Sequence, residues 1–279
     1  MTSGILWALA SAVAYGTSDF VGGVGARRTS PWRILLAGQL AGAVALLAAG
    51  LAAGGALRAT DLLWGVLAGA GSACGGLFLL RGLARGRMGL AAPVSALGAA
   101  TLPVLVGVVG GEPQSVLAWA GIIVALPGIW LVSRETGHAV AERPAGALID
   151  GIVAGTGFGV LFVCVGQLHA DAGLLPLAAS QATGAALIAA AAAALQVPLR
   201  GAGRAAGWGS ASGLLGAGGT VAFAVSSGGT TLAAAAVLTS LYPAVTVLLA
   251  TGVLRERLSP AQGAGLGVCT LAVIALSLG

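Results

Sequence analysis

Ten apolar stretches, each about the length that a helix needs to cross a bilayer, leave little of this chain for anything else. They run over 4–25, 32–53, 62–83, 89–110, 115–133, 148–168, 174–197, 205–227, 231–254 and 260–278, and a spanning helix needs about 20 predominantly apolar residues. Backbone N–H and C=O groups meet no water inside lipid, so each stretch must satisfy them internally as a helix. The expected fold class is an all-α polytopic membrane protein of ten transmembrane helices. Composition agrees, since 58% of the 279 residues are apolar, 8% are charged and the mean hydropathy is +1.01. These values exclude an ordinary water-soluble domain. The longest polar segment, 133–146, reads as a linker.

The same limits remove several function classes. The first stretch lacks a basic leader and is followed by nine more, so it reads as a spanning helix and not as a cleaved signal peptide. The net charge of +5 comes from arginines between spans or at their ends, where it acts as a topology signal; the lipid bilayer is an expected partner and nucleic acid is not. Cys74, Cys164 and Cys269 lie inside spans without CxxC spacing, and His138 and His169 are loop residues without ligand spacing. No metal and no cofactor are expected. The glycine-rich pieces 69–76 and 213–219 lie inside apolar spans, where close packing explains them better than a phosphate loop does. Ser30-Pro31, Thr60-Asp61 and the Ser-Pro-Ala-Gln run at 259–262 read as helix starts.

Sliding the chain along itself gives matches at a nearly constant displacement of 142–144 residues. Gly16 falls on Gly159, Gln39 on Gln181, and Trp64-Gly65 on Trp208-Gly209. Glu112, Ser115 and Gly121 fall on Glu256, Ser259 and Gly265. The chain therefore divides into two five-helix repeats, 1–143 and 144–279. Five is odd, so the copies must cross the membrane in opposite senses. The first copy carries Arg27, Arg28, Arg33, Arg81, Arg85 and Arg87 around the loops after spans 1 and 3, where the second carries none. The second instead carries Arg200, Arg204, Arg255 and Arg257 after spans 7 and 9, where the first has Arg58. With Arg134 and Arg143 of the linker, twelve of thirteen arginines share one face. An inverted repeat requires this swap, and two inverted halves around a midplane site are the structural basis of alternating access.

The ten-span layout, the opening AYGTSDFVGG and the run LTSLYPAVTVLLATGVLRERLSPAQ at 238–262 resemble the drug/metabolite transporter superfamily with tandem EamA-type domains. The resemblance covers essentially the whole chain, and its most specific piece is Pro243 followed by Glu256 and the Ser259 helix start. The first copy departs from it, because Ala99 stands where the second has Pro243 and prolines fall instead at 93 and 103. The resemblance implies a multi-pass inner-membrane permease, often an exporter of amino acids or other small metabolites. It implies a cavity lined by spans 1, 3, 4, 6, 8 and 9, and chain ends in the cytoplasm. The arginine count places the chain ends outside.

Candidate residues follow from polarity inside apolar spans. Asp19 shares a helical face with Ala8, Ala12 and Gly16, about 9 Å from the Gly25 end. Intramembrane acids face the protein or a wet cavity, so Asp19 either binds a proton or a cationic group or pairs with an arginine such as Arg27 or Arg28. Gln39, Gln181, Ser95 and Thr239 occupy equivalent positions in the two copies and offer polar contacts to a substrate or between helices. Tyr242 adjoins Pro243, whose missing N–H can break span 9. Glu112 and Glu256 sit at span ends and read as structural caps or ion-pair members.

The function expected is secondary transport of a small-molecule substrate, with export favoured and proton coupling a candidate. A multidrug or cationic-compound exporter is the alternative, and the spans show no clustered nucleophile and base that would make an enzyme. Either a monomer or a homodimer is compatible with the sequence.

Overall fold

A computed structural model of the chain describes residues 2–84, 88–133, 144–199, 203–255 and 257–278. These residues form helices α1 (Thr2–Ala26), α2 (Pro31–Ala53), α3 (Ala59–Ala84), α4 (Met88–Val109), α5 (Val116–Ser133) and α6 (Pro144–Gly166). They continue as α7 (Leu175–Ala194), α8 (Gly203–Ser227), α9 (Leu232–Thr239), α10 (Tyr242–Leu254) and α11 (Pro260–Leu278). Helices α9 and α10 are two halves of the ninth column, so the described residues form an all-helical bundle of ten columns in two inverted repeats. His138 and Glu256 lie outside the described residues.

Local chemistry explains the helix ends unevenly. The start of α11 is a reciprocal capping box: Gln262 N–H donates to Ser259 Oγ at 3.2 Å, and Ser259 N–H donates to Gln262 Oε1 at 3.1 Å. Ser30 precedes α2 with Pro31 in the first turn, but its side chain makes no capping hydrogen bond. Helix α3 begins at Ala59, so Thr60 and Asp61 lie within its first turn and do not cap it. The ninth column breaks at Ser240-Leu241, where Leu241 N–H turns back to the Leu238 carbonyl at 3.2 Å. Pro243, in the first turn of α10, supplies no N–H to the preceding turn. Helix α4 carries Pro93 and Pro103 and stays continuous.

The repeats interleave. The main contacts of α3 are with α6 and α7, those of α4 with α6 and α9, and those of α1 with α8, α9 and α10. Helix α2 packs on α7 and α8, and α5 packs on α11. Contacts within a repeat are sparse by comparison. Glycine makes the crossings close: a Cβ on Gly213 would strike the Gly38 backbone, and one on Gly69 would strike the Ser180 carbonyl. These crossings are mirror images under the repeat displacement. So are Gly65 on Pro176 and Gly209 on Ile34, and Gly121 on Leu276 and Gly265 on Val132. The displacement read from the sequence thus recurs as paired backbone approaches.

Among the described residues, nine columns are long and apolar enough to cross a membrane. Helix α8, with 25 residues, is long enough but diluted by Gly and Ser. It still runs antiparallel to α1 along that helix's length. Ser226 Oγ donates to the Gly4 carbonyl, Ser11 Oγ to the Gly219 carbonyl and Ser18 Oγ to the Ser212 carbonyl, each at 2.8 Å. Protein on the α1 and α2 sides takes the place of lipid, which relaxes the demand for apolar side chains.

The face opposite the arginines is fastened by charge. Arg58 donates from Nη1 and Nη2 to the Asp171 carboxylate at 2.7 and 2.9 Å, which holds the Asp171 carboxyl below its usual range. Asp61, 0% exposed, accepts at Oδ1 from the His169 backbone N–H at 3.1 Å and lies 2.9 Å from its ring Nδ1. These pairs tie the α2–α3 loop and the first turn of α3 to the α6–α7 loop across the repeats.

Replacing Gly69 or Gly213 by Ala is expected to destabilise the protein by about 1–3 kcal/mol, the usual range for overpacking. A Gly267→Ala change, whose added Cβ meets nothing from the rest of the protein within 4 Å, is expected to keep stability or raise it by up to about 1 kcal/mol. Thermal unfolding in detergent of the three variants measures this difference.

Candidate functional site

The inner face of α1 changes character along its length. Ile5, Ala8, Ser11 and Ala12 are at most 5% exposed, packed in the bundle. Asp19 and Gly23, on the same face nearer the arginine side, are exposed. At 3.6 residues per turn Asp19 lies within about 40° of Ala8, Ala12 and Tyr15, whereas the exposed apolar residues Leu6, Trp7 and Val13 point elsewhere. Asp19 therefore lies on the protein-facing side of α1.

Column nine shows the same gradient. All eight residues of α9 are buried and none of the thirteen of α10 is. The column is thus buried toward the Glu112 side and accessible toward the arginine side.

Two phenols stand near the acid, and the Asp19 charge acts on both Tyr15 and Tyr242. The Tyr15 hydroxyl hydrogen-bonds the Thr220 hydroxyl at 2.7 Å. Its ring meets Phe162 edge-on with centroids 6.0 Å apart, and Phe162 lies 4.6 Å from Phe223. Phe162 and Phe223 are 4% and 0% exposed, so this aromatic group is core, with the Tyr15 ring packed against it. Asp19 has no hydrogen-bond or ion-pair partner among the described residues. The Arg28 guanidinium, one of the arginines considered for such a pair, lies 5.5 Å from the Trp208 ring centroid.

The remaining sequence candidates do not gather at this acid. Gln39 is 8% exposed and donates from Nε2 to Ser72 Oγ at 3.1 Å. It packs against Gly184 of α7 while Gln181 packs against Gly42 of α2, a mirrored pair at one helix crossing. Ser95 is 1% exposed and Thr239 0%; Thr239 Oγ1 reaches the Ala8 carbonyl at 3.4 Å. Glu112 accepts from the Leu232 N–H at 3.0 Å and the Ala233 N–H at 3.4 Å. It thereby caps the first turn of α9 in the opposite repeat, where a carboxylate complements the helix dipole. Tyr242 is the one other candidate near Asp19.

Some residues escape the sequence reading. Tyr15 lies four residues before Asp19, a spacing that places both on one helical face and was open to inspection. Asp61 and Asp150 also lie within helices, α3 and α6, at 0% exposure. Asp19 is therefore not alone among acids within the helices, and Asp61 is held at the rim by the partly exposed Arg58 and His169.

Two inverted repeats that interleave across the membrane are an architecture of secondary transporters. The chain belongs to the EamA-like transporter family, whose model matches residues 2–134 and again 146–278; it is a multi-pass membrane protein of a family of small-molecule transporters. No curated protein matches the chain. A protein of known crystal structure shares the fold at TM-score 0.76 and 17% identity, covering 99% of this chain and 96% of the other.

Cysteine substitution reads the state directly. In a background lacking the three native cysteines, Asp19→Cys and Gly23→Cys are expected to react with a membrane-impermeant maleimide offered from the arginine face. Ala8→Cys is expected to stay unlabelled. Equal labelling of Ala8→Cys would contradict the burial of that end of α1.

Proposed function

We propose that the protein is a secondary carrier that exports small organic metabolites, amino acids among them, by alternating access around the Asp19 space. The observation that carries this reading is an exposed carboxylate on the protein-facing side of α1 with no hydrogen-bond or ion-pair partner among the described residues. An intramembrane acid is destabilising unless water, a proton or a ligand attends it. Asp19 takes the proton or the cationic group of the solute, and Tyr15 and Tyr242 orient what binds there. The arginine face is cytoplasmic by the positive-inside rule, so the accessible side is the loading side for export. No ATP-binding signature is read in the chain, and the driving force is an ion gradient, with protons the candidate that Asp19 suits.

A second reading, export of organic cations, is favoured by the aromatic surroundings. A lone acid near Tyr15 and Tyr242 suits a cation with an apolar body, since ring faces attract positive charge.

Deletion and overexpression followed by untargeted comparison of intracellular and extracellular metabolites identifies the solute, whose extracellular level is expected to rise with expression. With that solute in proteoliposomes, Asp19→Asn is expected to lower flux about tenfold or more, the scale of a lost hydrogen bond to a charged group. Asp19→Glu is expected to keep part of it. Full flux by the Asn variant, with its proton dependence intact, removes Asp19 from the mechanism.

A further inference from the structure

The crossing of α1 with α10 has a mirror image in the crossing of α6 with α4. A Cβ on Gly16 would meet the Tyr242 carbonyl and Val245, and one on Gly159 would meet Leu102 and the Gly98 carbonyl. Under the repeat displacement Tyr15, Asp19, Tyr242 and Thr246 fall on Phe158, Phe162, Gly98 and Leu102. The two crossings share a shape, but only one carries side-chain oxygen at these positions. That oxygen lies outside what the symmetric frame requires.

A hydroxyl has one proton to give, and around Asp19 the protons can be assigned in turn. Thr220 Oγ1 donates to the Gly216 carbonyl at 3.0 Å. Tyr15 is therefore the donor in its 2.7 Å bond with Thr220. Thr246 Oγ1 shares its proton between the Gly16 carbonyl at 3.0 Å and the Tyr242 carbonyl at 3.2 Å. Ser18 Oγ donates to the Ser212 carbonyl at 2.8 Å, and Ser212 Oγ returns a bond to the Ser18 carbonyl at 3.0 Å. To anything else these four side chains offer lone pairs only. The Tyr242 hydroxyl has no hydrogen-bond partner among the described residues. Arg27 and Arg28 come about 12 and 13.5 Å farther along the α1 axis, toward the rim.

A carboxylate among hydroxyls with spent protons is a set of acceptors. Resting on the reading of Asp19 as substrate-facing, we propose that this seat selects a protonated amine that still carries N–H bonds over a quaternary ammonium and over an anion. Asp19 supplies the opposite charge, and Tyr242, whose hydroxyl is uncommitted, is the specificity-determining side chain that takes a second N–H bond. A fully methylated nitrogen keeps the charge but has no N–H to give, and an anion faces like charge. Recognition by the aromatic rings alone would reverse the order, because ring faces suit quaternary ammonium groups.

The test is isothermal titration of the full chain in detergent with phenethylammonium, its N,N,N-trimethyl analogue and 3-phenylpropionate, which share an aryl tail. The wild type is expected to bind phenethylammonium about tenfold tighter than the trimethyl analogue, the scale of a hydrogen bond to a charged group, and not to bind the anion. Asp19→Asn is expected to lose binding of both cations, and Asp19→Glu to keep their order. Tyr242→Phe, at an unchanged melting temperature, keeps ring and charge and is expected to bind the two cations alike. The proposal is overturned if the wild type binds the trimethyl analogue as tightly or tighter, shows no saturable binding of phenethylammonium, or keeps its preference as Tyr242→Phe. Flux in proteoliposomes is a separate readout: preference without flux overturns the carrier reading alone, and flux without preference overturns this inference alone.

Discussion

Backbone-to-backbone approach between the two repeats is the constraint on which the rest of this molecule depends. Lipid tails are as apolar as leucine, so helices in a membrane gain little from hiding apolar surface and associate through close packing and hydrogen bonds. Here the closest packing lies between repeats: Gly213 on Gly38 and Gly69 on Ser180 bring helices of opposite halves together at mirrored points. The halves are thus interlocked, and the unit of structure is the pair. The mirrored crossings of α2 with α8 and of α3 with α7 form a frame common to both halves. The departures from symmetry gather at column nine, where Pro243 divides α9 from α10 and α4 in the other half stays whole.

The frame gives the acid its setting. Asp19 occupies the same face as Ala8 and Ala12, yet the packing that buries those residues does not continue to its level. Column nine shows the same change, with all of α9 buried and none of α10. The equivalent position in the second copy is Phe162, which packs with Phe223 and Tyr15. One position of the repeat is thus an exposed charge in one half and a core aromatic in the other.

Local signals were legible in the chain and long-range partnerships were not. Periodic apolar length placed the columns, and the 142–144 displacement placed the repeats. Pro243 marked the break because a missing N–H acts on the preceding turn, and Ser259 with Gln262 marked a capping box within four residues. Ser30 and Asp61 had the same local pattern and failed as side-chain caps. Pro31 accounts for the start of α2 without the Ser30 side chain, and His169, more than a hundred residues away in sequence, claims the Asp61 carboxylate. Glu112 was readable as a cap, but the helix it caps belongs to the other repeat. Gln39 and Gln181 were readable as a symmetric pair, but their place at the α2–α7 crossing, away from Asp19, depends on how ten columns assemble.

The interleaving also sets an order of events in the making of the chain. The major partners of α1, α2 and α3 lie in the second repeat, so a ribosome must finish most of the protein before these helices can dock. Until then each helix stands in lipid with its own hydrogen bonds complete and its glycine faces unfilled. Such long-range closure is slow compared with local pairing, and it makes the ninth column, among the last to enter the membrane, the piece that α1 waits for.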